Sequence, residues 1–235
     1  MAFHYSPKVV KNGLILYMDP ANPNSYPLTG GSNWSDLTTN KNYGSLFGGF
    51  IYDSPNMAFS VITATSATDA WITINTPLYF ADTSTYSMEF SVRLRPNAEY
   101  SYHSLCANNA YAPWTGLYGY GSSWYFFFRG AGGEYSISST ITDYDISQKW
   151  ATVAFTVAAD RTIRFYLNGV FISNTSPSAT TTQINLSRIA GGYYGGNGRS
   201  YPFQGSISAT RIYNRVLTDN ELLQNHDTTK TRFGL

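Results

Sequence analysis

Carboxylates are the residues best equipped for chemistry in this chain, and their placement argues against it. Hydrolysis of a glycosidic bond needs two of them, held about 5–5.5 Å apart when the mechanism is retaining. Glu89 is the only acid in its run, flanked on the same predicted face by Ser87 and Ser91. Asp143 and Asp145 are close but fall in a predicted loop with no third acid, and read as solvated loop carboxylates. His4, His103 and His226 lack any metal-ligand spacing. No Gly-x-Ser-x-Gly elbow is present. Cys106, the single cysteine, can form no intrachain disulfide and reads as a small buried thiol. The expectation is a chain with no catalytic residue and no metal site.

Aromatic side chains are better candidates for recognition. Tyr193, Tyr194 and Tyr201 join Asn197 and Arg199 in a Gly-rich segment. Trp114, Tyr118, Tyr120 and Trp124 form a second cluster across a Gly turn. Flat apolar faces beside hydrogen-bonding groups stack on sugar rings or anchor protein interfaces. Packing, a protein interface and a sugar site are all open to these nine residues. The Gly-rich segment lies between predicted strands and precedes no helix, which disfavours dinucleotide binding.

The elements that must position them are almost all strands. Ile163, Phe165 and Leu167 alternate with Arg164, Tyr166 and Asn168, the period of a half-buried strand. Asn168-Gly169 then supplies two residues tolerant of positive φ, which predicts a type I′ hairpin into 170–172. Tyr86, Met88, Phe90, Val92 and Leu94 alternate with Ser87, Glu89, Ser91 and Arg93. Further strands are expected at 13–19, 44–51, 57–63, 70–75, 101–106, 115–120, 123–129, 150–157, 185–190 and 205–213. Pro77 should end the 70–75 run. Thr218-Asp-Asn-Glu221 is a capping box and opens the one convincing helix. Residues 228–235 show no periodicity and read as an exposed tail.

About a dozen short strands with almost no helix predict a β-sandwich in one domain, residues 1–235. Charged residues are only 12% of the chain and the formal charge is +1, so the basic field of a nucleic-acid binder is missing. The surface must be built from Ser, Thr, Asn, Gly and Tyr, which suits an extracellular or particle-bound protein. No apolar run approaches the roughly 20 residues of a membrane span. The first residues lack the basic and apolar segments of a secretory signal.

The segment Gly205-Ser-Ile-Ser-Ala-Thr-Arg-Ile-Tyr213 and the helix after it resemble the end of laminin-G-like jelly rolls. These belong to the concanavalin A-like lectin/glucanase superfamily. The runs 86–96, 150–157, 161–172 and Arg188-Ile-Ala-Gly-Gly fall in the order that family uses. The resemblance implies a two-sheet antiparallel jelly-roll sandwich with one short C-terminal helix. Some members hydrolyse β-glucans with carboxylates spaced along one strand, and this chain has no such cluster. Many bind calcium at the rim, but Ser208 and Ala209 stand where relatives carry acids, leaving Asp19 as the remaining ligand candidate. No cofactor is therefore expected. Residues 5–26 with Trp34-Ser-Asp-Leu37, and the closing Thr231-Arg-Phe-Gly-Leu235, look like laminin-G-like proteins of tailed-bacteriophage particles. That likeness implies a non-enzymatic virion protein at the particle surface, assembled in the host cytoplasm, in capsid decoration or a tail or fibre. Its implied partners are capsid or tail proteins, sister copies in a homo-oligomer, and a host glycan. Residues 1–12 and 228–235 would be an arm and a tail making those contacts.

Overall fold

In the strand Tyr86–Leu94 the alternating apolar residues enter the main core, while Ser87, Glu89 and Ser91 on the other face are buried too. A strand buried on both sides needs cover on both. A second sheet supplies one cover, and the two ends of the chain supply the other.

A computed structural model describes residues 7–27, 29–61, 70–95, 102–107, 114–120, 123–129, 139–141, 146, 149–175, 183–194 and 199–235. In chain order the strands begin with β1 (Leu14–Met18), β2 (Asn33–Ser35), β3 (Tyr43–Phe47), β4 (Phe50–Asp53), β5 (Ala58–Val61) and β6 (Trp71–Phe80). Next come β7 (Tyr86–Leu94), β8 (Tyr102–Ala107), β9 (Trp114–Tyr120), β10 (Ser123–Arg129), β11 (Ser139–Ile141) and β12 (Ala151–Val157). The last are β13 (Ile163–Leu167), β14 (Val170–Thr175), β15 (Ile184–Ile189), β16 (Gly191–Tyr194), β17 (Arg199–Pro202) and β18 (Gly205–Tyr213). Two helices follow, α1 (Asp219–Asp227) and α2 (Lys230–Phe233).

The first sheet has the order β14-β13-β12-β7-β18-β5-β4, with β1 also paired to β18. The second has the order β11-β10-β9-β8-β15-β6-β3-β2, and β16 with β17 forms a separate ribbon. All pairings among the described residues are antiparallel. Trp34, Ile72, Ile74 and Leu186 from the second sheet meet Phe59, Phe90, Phe155 and Phe165 from the first. This is the expected jelly-roll sandwich. Asn168 and Gly169 both have positive φ, at 53° and 77°, and turn β13 into β14 as predicted. Thr218 caps α1 with the full capping box.

Four expectations need correction. Pro77 does not end its strand: β6 runs on to Phe80. Proline lacks a ladder donor, and the Asn42 side chain bonds the neighbouring Thr76 on both sides, donating to its carbonyl and accepting from its amide. The predicted run 44–51 is two strands in different sheets, β3 and β4, separated at Gly48, whose φ is 81°. Residues 228–235 are no exposed tail. They include α2, Thr229 is buried, and Phe233 stacks on Trp150 with ring centroids 4.3 Å apart. Nor is the described part of the arm free, since Val10 is buried and its amide donates to Asn225 Oδ1 at 2.9 Å.

Candidate functional site

Every acid among the described residues is occupied in holding the fold. Asp36 accepts from the amides of Tyr17, Thr38 and Asn42 and from the Thr38 hydroxyl. Asp53 and Asp160 order turns through Asn56 and Thr162. Asp82 pairs with Arg161, Asp219 with Arg164 and Tyr166, Glu221 with Arg215, and Asp227 with Lys230. Both oxygens of Asp19 are taken by Arg232, at 2.7 and 2.8 Å. Burial alone would raise this carboxyl, but the Arg232 hydrogen bonds and charge, with the Ala21 amide, hold it below the usual range. The candidate calcium ligand thus already faces a cation of its own chain. Among the described residues no group of three His, Cys, Asp or Glu could hold a metal.

Glu89 is the acid that sequence placed least well. It was expected on a face free of apolar residues, and it is 1% exposed. Arg211 lies directly opposite it on β18, and Asn225 of α1 donates to its Oε2. Burial pushes the Glu89 carboxyl up to about 7, against the Arg211 charge and the Asn225 hydrogen bond. Asn225 also donates to the Tyr213 hydroxyl, and Arg211 donates to Thr228 Oγ1. This cluster clamps the first and last described segments onto the first sheet, with Glu89, Arg211, Tyr213 and Asn225 all buried. Cys106 is likewise fully buried, with its thiol raised by burial, as its inert reading required. Burial holds the His103 imidazole down to about 4 and therefore neutral.

Eight of the nine candidates lie among the described residues, on strands β9, β10, β16 and β17. Trp114, Tyr118 and Tyr120 lie on β9, which pairs with β8, and Trp124 lies on β10. Tyr193 and Tyr194 lie on β16, and Arg199 and Tyr201 on β17, a ribbon that also packs on β8. The pleat subdivides both groups. Trp124 sits opposite Gly119, out of phase with Tyr118 and Tyr120. Tyr194 sits opposite Arg199, in phase with Tyr201, while Tyr193 is out of phase with them. Asn197, Asp143, Asp145 and His4 lie outside the described residues.

A further aromatic group escaped the sequence reading. Phe47 on β3 sits opposite Trp71 on β6, and their rings stack at 4.1 Å with 22° between planes. From the other flanking strand, β15, the Arg188 guanidinium lies 4.3 Å from the Trp71 ring centroid. The indole is thus held between two neighbours, and its Nε1 donates to Thr73 Oγ1 at 3.0 Å. Below this stack, Asn33, Ser45 and Thr73 stand side by side across β2, β3 and β6. Ile72 and Ile74 point into the core, so this row and the stack form the sheet's outer face. The strict alternation over 71–75 was the available signal, since it must turn Trp71 away from Ile72 and Ile74.

Comparison with known proteins bears on the whole sandwich. The binding domain of Paraclostridial Mosquitocidal Protein 1 superposes with a TM-score of 0.65 at 16% identity, covering 91% of this chain and 52% of that one. The Trypanosoma rangeli sialidase in complex with sialic acid gives 0.65 at 16%, covering 96% and 34%. The binding domain of Botulinum neurotoxin DC in complex with rat synaptotagmin II gives 0.63 at 14%, covering 92% and 51%. This chain thus spans about half or a third of each, and the likeness is one of fold. No curated protein sequence matches the chain. The profile of one family matches residues 66–223. On that match, which takes in β6 to β18 and most of α1, the chain belongs to the concanavalin A-like lectin/glucanases superfamily.

Proposed function

We propose that the chain is a non-catalytic recognition module carried on the surface of a bacteriophage particle. The observation that supports it best is the employment of every described carboxylate in turns, caps and ion pairs, which leaves none paired with another for acid and nucleophile roles. The phage setting rests on the likeness of the two chain ends to laminin-G-like virion proteins, and the low charge accords with it. The partners would be capsid or tail proteins, sister copies, and a glycan of the host surface. Because the described parts of both ends are built into the domain, particle contacts fall to exposed surface instead. Val170, Phe171 and Leu223 are exposed where the β13–β14 hairpin meets α1, an apolar corner suited to such a contact. Mass spectrometry of purified particles tests the setting. High copy number would mark decoration, and a few copies a tail or fibre. Absence from particles, or turnover of a glycan by the pure protein, would refute the reading.

A further inference from the structure

We infer that the outer face of β3, β6 and β15 is a docking platform for an uncharged glycan, with the outward ring face of Phe47, backed by Trp71, as its stacking surface. The inference rests on the recognition reading above and names its ligand class. Phe47 is 53% exposed although it is a large apolar residue on a regular strand. One face of its ring is occupied by Trp71, so the exposed area is the side turned away from the stack. An apolar ring held flat by a neighbour offers a CH-rich sugar face contact area without costing side-chain freedom.

The surroundings choose between occupants. Beside the Phe47 ring stand the Ser45 and Thr73 hydroxyls and the Asn33 amide on rigid paired strands, and the cation in the row, Arg188 opposite Thr73, is turned over the indole. Uncharged donors and acceptors at fixed spacing match sugar hydroxyls. No carboxylate stands in these rows among the described residues. A protein partner would call for a different face. Interface cores are depleted in Ser, and a stable one buries about 800 Å² per partner, more than one stacked pair can seed.

The test is affinity electrophoresis of the full chain in gels containing neutral polysaccharides, mannan, galactan and β-1,3-glucan in turn, beside gels of hyaluronate and polysialic acid. Retardation by at least one neutral polymer is expected, weakened roughly tenfold or more in Phe47→Ala. Phe47→Ala should fold, since the side chain is half exposed, and circular dichroism with a melting curve checks that. Equal retardation of Phe47→Ala, or its loss instead in Tyr194→Ala or Trp124→Ala, would move the site to the β8 clusters and overturn the platform. Retardation by the polyanions alone would overturn the uncharged class. A change of oligomeric state in Phe47→Ala by sedimentation would reassign the face to a second copy. No retardation in any gel would overturn the inference while leaving particle incorporation and lack of turnover to judge the broader reading.

Discussion

Arg232 closes on Asp19 with both terminal nitrogens, joining α2 to the end of β1 across 213 residues of chain. The Asp19 side chain is 5% exposed and that of Arg232 18%. Removing either partner leaves the other charge in a dry setting, so Asp19→Asn or Arg232→Ala should cost about 2–3 kcal/mol in urea unfolding at pH 7. The double variant should cost less than the sum. The folded carboxyl titrates below its unfolded value of about 4, so its contribution is complete above that pH and is lost as pH falls further. Asp19→Asn should therefore flatten the acid limb of the stability profile. An unchanged limb would mean the pair does not form in solution.

Glu89 predicts the opposite slope in another window. Its folded value is about 7 and its unfolded value about 4.3. Between these the folded chain holds a proton that the unfolded chain has lost, so stability should fall as pH rises, by about 3–4 kcal/mol. Glu89→Gln keeps the shape and the bond from Asn225 while removing the titration. It should abolish this slope and exceed the natural chain in stability at pH 8. Chemical denaturation at several pH values decides it, and a retained slope would exonerate Glu89.

At the hairpin tip, a Cβ on Gly169 would lie 2.7 Å from the Leu223 Cα, in a residue whose φ is 77°. Gly169→Ala must strain the turn and push α1 off the sheet together, at about 2 kcal/mol or more. Thermal melting should show this drop, whereas Asn168→Gly, which accepts the positive φ, loses only the bond that the Thr152 amide donates to Asn168 Oδ1 and should cost less.

Truncation after Asp227 removes the Arg232 fork, the Phe233 ring on Trp150 and the Thr228 hydroxyl that binds Arg211. The melting temperature should fall by about 10 °C or more, with a change in tryptophan emission as Trp150 loses its cover. A free tail would leave both unchanged.

Local chemistry explains which parts of this fold were legible in sequence. β7, the Asn168-Gly169 hairpin and the Thr218 cap are each specified within a dozen residues, and the structure has them where periodicity and capping put them. The burial of Glu89 was not legible, because its cover comes from Asn225, 136 residues away. α2 has only four residues and no period to detect, and it is held by contacts with Asp19 and Trp150. Pro77 stays in β6 because of Asn42, which nothing near Pro77 announces. The Phe47–Trp71 stack needed the β3–β6 register, which no single strand carries. The seven aromatic candidates were legible as a composition but not as a geometry, since pleat phase separates Trp124 from Tyr118 and Tyr193 from Tyr194.

β18 pairs with β1, β5 and β7 together. In a chain made from its N-terminus, the first sheet stays divided until residue 213 has left the ribosome. β1 and β5 must wait for β18 to join them to β7, which β12 can pair earlier. Folding should then be slow and dominated by distant pairings, and the growing chain is most exposed to aggregation and proteolysis until β18 emerges.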